Sequence, residues 1–245
     1  MTKPPKLSIP SKLRRGGKKS DEWVYIDDGR DLLGYMCQAL ELEDLGGQRV
    51  LDMGCGTKFT QAILNYDIPI GEYIGIDVYG EMIDFLRSNT HDSRFSYHHI
   101  DTHNEMYNRT GAKLSADTRL PIDEHSCSVI CLFSVFTHLA PADYSNMLKV
   151  MRRYARDEAK IIFTLYIDEV SNNGHGLIEQ IALQQDTPYV PSGQPFRDAF
   201  PNKPLQWALY SRQYALDLIE GTGWEVEKLC KPNQWAQHHF ICRPG

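Results

Sequence analysis

The 245-residue chain has no run of about 18 apolar residues, so no membrane-spanning helix is expected. Its first twenty residues hold no apolar h-region, and a secretory leader is not expected there either. Cysteine is sparse: Cys37, Cys55, Cys127, Cys131, Cys230 and Cys242, with no Cys-x-x-Cys pair. That pattern argues against a zinc ribbon and against a disulfide-built scaffold. A reducing, cytoplasmic setting is the expectation. No internal repeat is visible. Positive charge is in deficit, with 26 Lys and Arg against 32 Asp and Glu, a net charge of −6. Such a body repels a phosphate backbone over any broad surface.

What is present is an ordinary globular mix, 42% hydrophobic and 24% charged. The charge is uneven. Residues 1–20 carry seven cations (Lys3, Lys6, Lys12, Arg14, Arg15, Lys18, Lys19) and no acid, together with Pro4, Pro5, Pro10 and Gly16-Gly17. So polar a stretch buries too little surface to order itself. It reads as a flexible basic arm over residues 1–22, either a solvated tail or the one place where nucleic acid or an acidic partner would dock. Residues 23–245 read as one domain.

The spacing of Leu32, Leu33, Met36, Ala39 and Leu40 predicts a helix from Asp31 to Leu45, ended by Gly46-Gly47. Strands are predicted at Arg49–Met53, Tyr73–Val78, Phe95–Ile100, Cys127–Phe136 and Ala159–Ile167. Helices are predicted after Lys58, over Glu81–Ser88, from Pro141 to Arg156 and over Tyr210–Glu220, with closing strands at Trp224–Leu229 and His238–Cys242. Strands alternating with helices imply an α/β fold, a parallel sheet with helices on both faces. Ligands in such sheets bind beyond the carboxyl ends of the strands.

Three strand ends stand out. The first is Asp52-Met53-Gly54-Cys55-Gly56-Thr57-Lys58. Its small residues let backbone N–H groups approach a ligand, and the next helix aims its positive end there. The dinucleotide spacing G-x-G-x-x-G fails at Phe59. Asp52 would repel a pyrophosphate but attract an ammonium or sulfonium. The second end carries Asp77, 21 residues after Gly56, placed to accept hydrogen bonds from ribose hydroxyls. The third ends in Asp101-Thr102. There His99, Asp101 and His103 alternate, and on a continuing strand they would share one face as metal ligands; a strand that stops near Asp101 breaks that alternation, and no metal is expected.

Val50-Leu51-Asp52-Met53-Gly54-Cys55-Gly56-Thr57 resembles the first motif of class I S-adenosylmethionine-dependent methyltransferases, as does Gly75-Ile76-Asp77-Val78 the second. Lys58 departs from the family's usual Gly, and either crowds the loop or offers charge to the methionine carboxylate. The resemblance implies a Rossmann-like, mostly parallel seven-stranded sheet with a reversed last strand, and S-adenosylmethionine as cofactor. It implies that Asp52, Gly54, Cys55, Gly56, Thr57 and Lys58 surround the cofactor, that Asp77 binds its ribose, that Val78 and Met82 flank its adenine, and that Asp101 and Thr102 meet the adenine edge.

Phe133-Ser134-Val135-Phe136-Thr137-His138-Leu139 is similar to a segment of small-molecule methyltransferases that lines the site between donor and acceptor. By that likeness Phe133, Ser134 and Phe136 wall the pocket. His138 is either a general base or a residue making a structural hydrogen bond. Residues 168–206, with Tyr166, Tyr189, Phe196, Phe200, His175 and Trp207, form either a lid or acceptor pocket or a surface insertion. The expected activity is methyl transfer to a small molecule, at oxygen. The rivals are a non-catalytic RNA- or protein-binding module of the same fold and an NAD-dependent oxidoreductase.

Overall fold

The computed structural model describes residues 4–14, 21–171, 176, 191–199, 202–232 and 236–245. The first helix, α1 (Glu22–Leu40), starts nine residues earlier than its spacing predicts, because Asp21 caps it by accepting from Val24 N–H at 3.1 Å. It stops at Glu41, whose left-handed φ of 59° lets its N–H turn back to Gln38. The glycines expected to end the helix lie inside the first strand, β1 (Leu45–Met53).

Beyond it follow α2 (Lys58–Tyr66), β2 (Ile70–Asp77), α3 (Gly80–Asn89), β3 (Phe95–His99), β4 (Cys127–Leu132), α4 (Pro141–Tyr154) and β5 (Ala155–Ile167). A short antiparallel pair comes next, β6 (Phe196–Asp198) and β7 (Ala208–Tyr210), then α5 (Arg212–Asp217), β8 (Trp224–Cys230) and β9 (His238–Pro244). Strands β3, β2, β1, β4 and β5 run parallel in that order. β9 lies antiparallel on β5 and carries β8 at the far edge. This is the expected seven-stranded sheet with its reversed last strand. The β6–β7 pair was not anticipated, and it extends the tip of β5 through Tyr166 and Ile167.

Alternate strand residues feed two cores. Leu51, Ile130 and Ile161 pack with α4 and its Tyr144 and Met147 on one face. Val50, Val129 and Ile162 pack with α1, α2 and α3 on the other. Both faces are covered, which is why β4 reads as an unbroken apolar run. That strand ends at Leu132, short of the predicted Phe136. Ser134 adopts a left-handed φ of 60°, and a 3₁₀ turn (Phe136–His138) follows. α5 is likewise shorter than predicted. Among the described residues no helix is long and apolar enough to cross a membrane.

The basic arm differs from expectation where it is described. Leu7, Ile9 and Leu13 are buried in the core beside α1 and α2. Ile9 N–H donates to Glu22 at 2.7 Å, and Lys6 and Lys12 pair with Asp67 and Glu81. Three apolar residues among the prolines and lysines suffice to dock the segment; the charges pointed the other way. Residues 1–3 and 15–20 of the arm, and 172–175, 177–190, 200 and 201 of the expected lid, lie outside the described residues.

Candidate active site

One cleft of about 390 Å³ opens at the carboxyl ends of β1, β2 and β4. Gly54 and Gly56 turn the chain there with φ of 77° and 50°. A Cβ on Gly54 would lie 2.5 Å from Val135 Cγ2, so only glycine fits that close approach of the first and fourth strand ends. The N–H groups of Gly54 and Cys55 both donate to the Ile76 carbonyl, at 2.7 and 3.1 Å, tying the loop to β2.

Asp77 closes this corner. Its carboxylate accepts from Gly56 N–H at 3.1 Å and Tyr79 N–H at 3.0 Å, so the glycine loop and the next turn hold it in place. Asp52 lies deeper, 3% exposed, and accepts from the Tyr73 hydroxyl at 2.6 Å. Burial pushes its carboxyl up to about 7; the hydrogen bonds from Tyr73 and Cys131 pull the other way, and the charge of Asp77 adds to the rise. Burial also raises the Cys55 thiol well above the ordinary range.

Lys58, the first residue of α2, does line the cleft. Its ammonium lies 3.8 Å from Asp28 and 5.0 Å from the centre of the Tyr25 ring. The departure from glycine therefore leaves the loop open, because the side chain is drawn toward α1.

His138 closes the 3₁₀ turn and faces the same cleft. Its Nδ1 lies 3.0 Å from the Leu205 carbonyl, which can only accept. The neutral ring therefore carries its proton on Nδ1 and keeps Nε2 basic. Burial lowers its pKa below the ordinary value, against the hydrogen bonds to the Leu205 and Gln206 carbonyls. The structural hydrogen bond of one reading is thus present at Nδ1.

Val78, Thr102, Phe133 and Ser134 also line the cleft as expected. Four expected residues do not. Thr57 is fully buried, with its hydroxyl 3.0 Å from that of Tyr25. Met82 points into the core under α3. Phe136 packs on Phe163 and Tyr144, ring centres 4.5 and 4.6 Å away. Asp101 turns outward to accept from Asn108 at 2.9 Å, since β3 ends at His99 and the chain bends. The same bend ends the alternation of His99, Asp101 and His103.

Tyr166 and Trp207, expected at the lid or acceptor pocket, line the cleft; sequence reasoning missed Tyr25, Asn104, Tyr107, Asp143 and Gln237, which line it too. Gln237 donates to the Ser134 hydroxyl at 2.9 Å across 103 positions, a contact with no local signal. Asp143 and Met147 stand four apart on α4 at helical spacing, which was the one legible hint.

The profile of the methyltransferase domain family matches residues 51–163, the stretch that builds the glycine loop, Asp77 and His138. The chain carries a class I methyltransferase domain. Solved structures share its fold. A SAM-dependent methyltransferase from Aquifex aeolicus is 16% identical over 98% of this chain and 100% of its own, with a TM-score of 0.55. Magnesium protoporphyrin IX methyltransferase from Synechocystis PCC 6803, solved with bound SAH, is 10% identical over 96% of this chain and 92% of its own, with a TM-score of 0.55. Mitomycin 7-O-methyltransferase is 12% identical over 91% of this chain and 54% of its own, with a TM-score of 0.55. S-adenosylmethionine is the cofactor of this methyltransferase domain. The residues present suit it: a loop where a Cβ would clash at Gly54, a carboxylate at Asp77 held by two backbone donors, and the buried carboxyl of Asp52.

Proposed function

We propose that the protein methylates a hydroxyl oxygen of a small molecule. S-adenosylmethionine, when bound, supplies a methyl group already activated on a sulfonium. The chain's own task is then to bind, orient and handle one proton. Asp77 receives the ribose hydroxyls, with its carboxylate already oriented by Gly56 and Tyr79. The Gly54–Gly56 loop admits the amino-acid end of the cofactor, and Asp52 offers negative charge toward its sulfonium. Val78 and Thr102 flank the adenine. Phe133 and Ser134 stand between cofactor and acceptor, and His138 accepts the acceptor's hydroxyl proton at Nε2.

The observation that carries the oxygen reading is the pinned, neutral His138 in the cleft wall. An amine arriving neutral needs no base, whereas a hydroxyl is a poor nucleophile until its proton leaves. The fold accommodates such chemistry, as the mitomycin enzyme's name attests. The six cysteines are all free thiols, which supports a reducing compartment.

His138→Gln tests this reading. Turnover of a hydroxyl acceptor is expected to fall by roughly 10²–10⁴, with affinity for S-adenosylhomocysteine unchanged. The wild-type rate is expected to fall on acidification with a midpoint below the ordinary histidine value, because burial disfavours the imidazolium. A variant that keeps its full rate would show that His138 is only structural.

A further inference from the structure

The cleft has two chemically distinct halves. The glycine loop and the Asp77 turn make the first, and the 3₁₀ turn, α4 and the segment around Trp207 make the second. Leu139 and Met147 give the second half an apolar lining, and Tyr166 and Trp207, ring centres 6.0 Å apart, give it an aromatic one. Two polar side chains interrupt this surface. Thr137 is 1% exposed and its Oγ1 has no hydrogen-bond partner among the described residues. Asp143, in the first turn of α4, has a buried Oδ1 that also has none.

Buried oxygens are almost always hydrogen-bonded, so two orphans on the wall of one cleft call for a donor from outside the chain. Both residues line the cleft, Thr137 from the 3₁₀ turn and Asp143 from the first turn of α4. Lys113 and His103 act on Asp143 through their charge but make no hydrogen bond to Oδ1. Size sets a second limit. A cleft of about 390 Å³ is at the small end of the roughly 300–1,000 Å³ usual for ligand sites, and it serves cofactor and acceptor together.

Resting on the methyl-transfer reading above, we infer that the acceptor is a small planar molecule with two polar groups. One is the hydroxyl that is methylated beside His138. The other is a hydrogen-bond donor, hydroxyl or amine, held by Asp143 and Thr137 while the ring lies against Tyr166 and Trp207.

The test uses the full chain saturated with S-adenosylhomocysteine and titrated calorimetrically with phenol, catechol and 3-hydroxybenzylamine. At least one of the two bifunctional probes is expected to bind tenfold or more tighter than phenol, and which one does so tells a hydroxyl from an amine. Asp143→Leu and Thr137→Val are each expected to remove most of that advantage while phenol and S-adenosylhomocysteine bind as before. Thr137→Val, which is near-isosteric, decides the matter if Asp143→Leu does not fold. Equal binding of the three probes, absence of binding by both bifunctional probes, or an advantage that survives the substitutions overturns the subsite. Failure of the wild type to bind S-adenosylhomocysteine overturns instead the cofactor reading on which the inference stands.

Discussion

Asp52 is a carboxyl enclosed by an apolar sheet, and its protonation follows from that enclosure. Burial lifts it from an ordinary 3.8 to about 7, so the folded protein holds this proton more tightly than the unfolded chain does. The stability this group lends is therefore full below about pH 4 and is lost as pH rises through about 7. Above that value the carboxylate is negative and favours a cation beside it. Preference for the sulfonium of S-adenosylmethionine over the neutral thioether of S-adenosylhomocysteine is thus expected to grow as pH rises through about 7. Asp52→Asn is expected to weaken S-adenosylmethionine about tenfold, roughly 1.4 kcal/mol, and to leave S-adenosylhomocysteine little changed. Calorimetry with both ligands at pH 6 and pH 8 checks this; equal losses would place Asp52 outside the reach of the sulfonium.

Elements differ in how openly the sequence declares them. The strands β4, β5 and β9 were legible within a few residues, because burial on both faces leaves a nearly continuous apolar run. The start of α1 was not, since its cap at Asp21 precedes the first clear apolar stripe. The residues of the site divide in the same way. Asp52 and Asp77 stand at strand ends and His138 just past one, so topology could place them, whereas Gln237 reaches the cleft only through long-range folding. Phe136 and Met82 were misplaced for a common reason: an apolar residue next to a site motif belongs as readily to the core behind it. The contact between α1 and α2 offers a test at this scale. A Cβ on Gly29 would lie 2.7 Å from the Lys58 carbonyl, which forces the two helices apart. Gly29→Ala is expected to destabilise the protein by about 1–3 kcal/mol and to weaken S-adenosylhomocysteine, since Tyr25 and Lys58 shift together; thermal melts and calorimetry measure both. Unchanged stability would mean that the helices have room to spare.

At the scale of the whole molecule, the arm and the cleft are joined through α1 and α2. Leu7, Ile9 and Leu13 complete the core behind the glycine loop. Burial of each such side chain stabilises by roughly 1.5–3 kcal/mol. Removal of residues 1–14 is therefore expected to lower the melting temperature by several degrees, whereas a solvated tail would leave it unmoved. The account as a whole stands on the cleft being an S-adenosylmethionine site anchored by Asp77. Its most direct test is titration calorimetry of the wild type and of Asp77→Ala with S-adenosylhomocysteine, with NAD as the competing ligand. Saturable one-to-one binding of S-adenosylhomocysteine, lost in Asp77→Ala and not matched by NAD, is the expected result. Binding of NAD, or full affinity for S-adenosylhomocysteine without the Asp77 carboxylate, would contradict it.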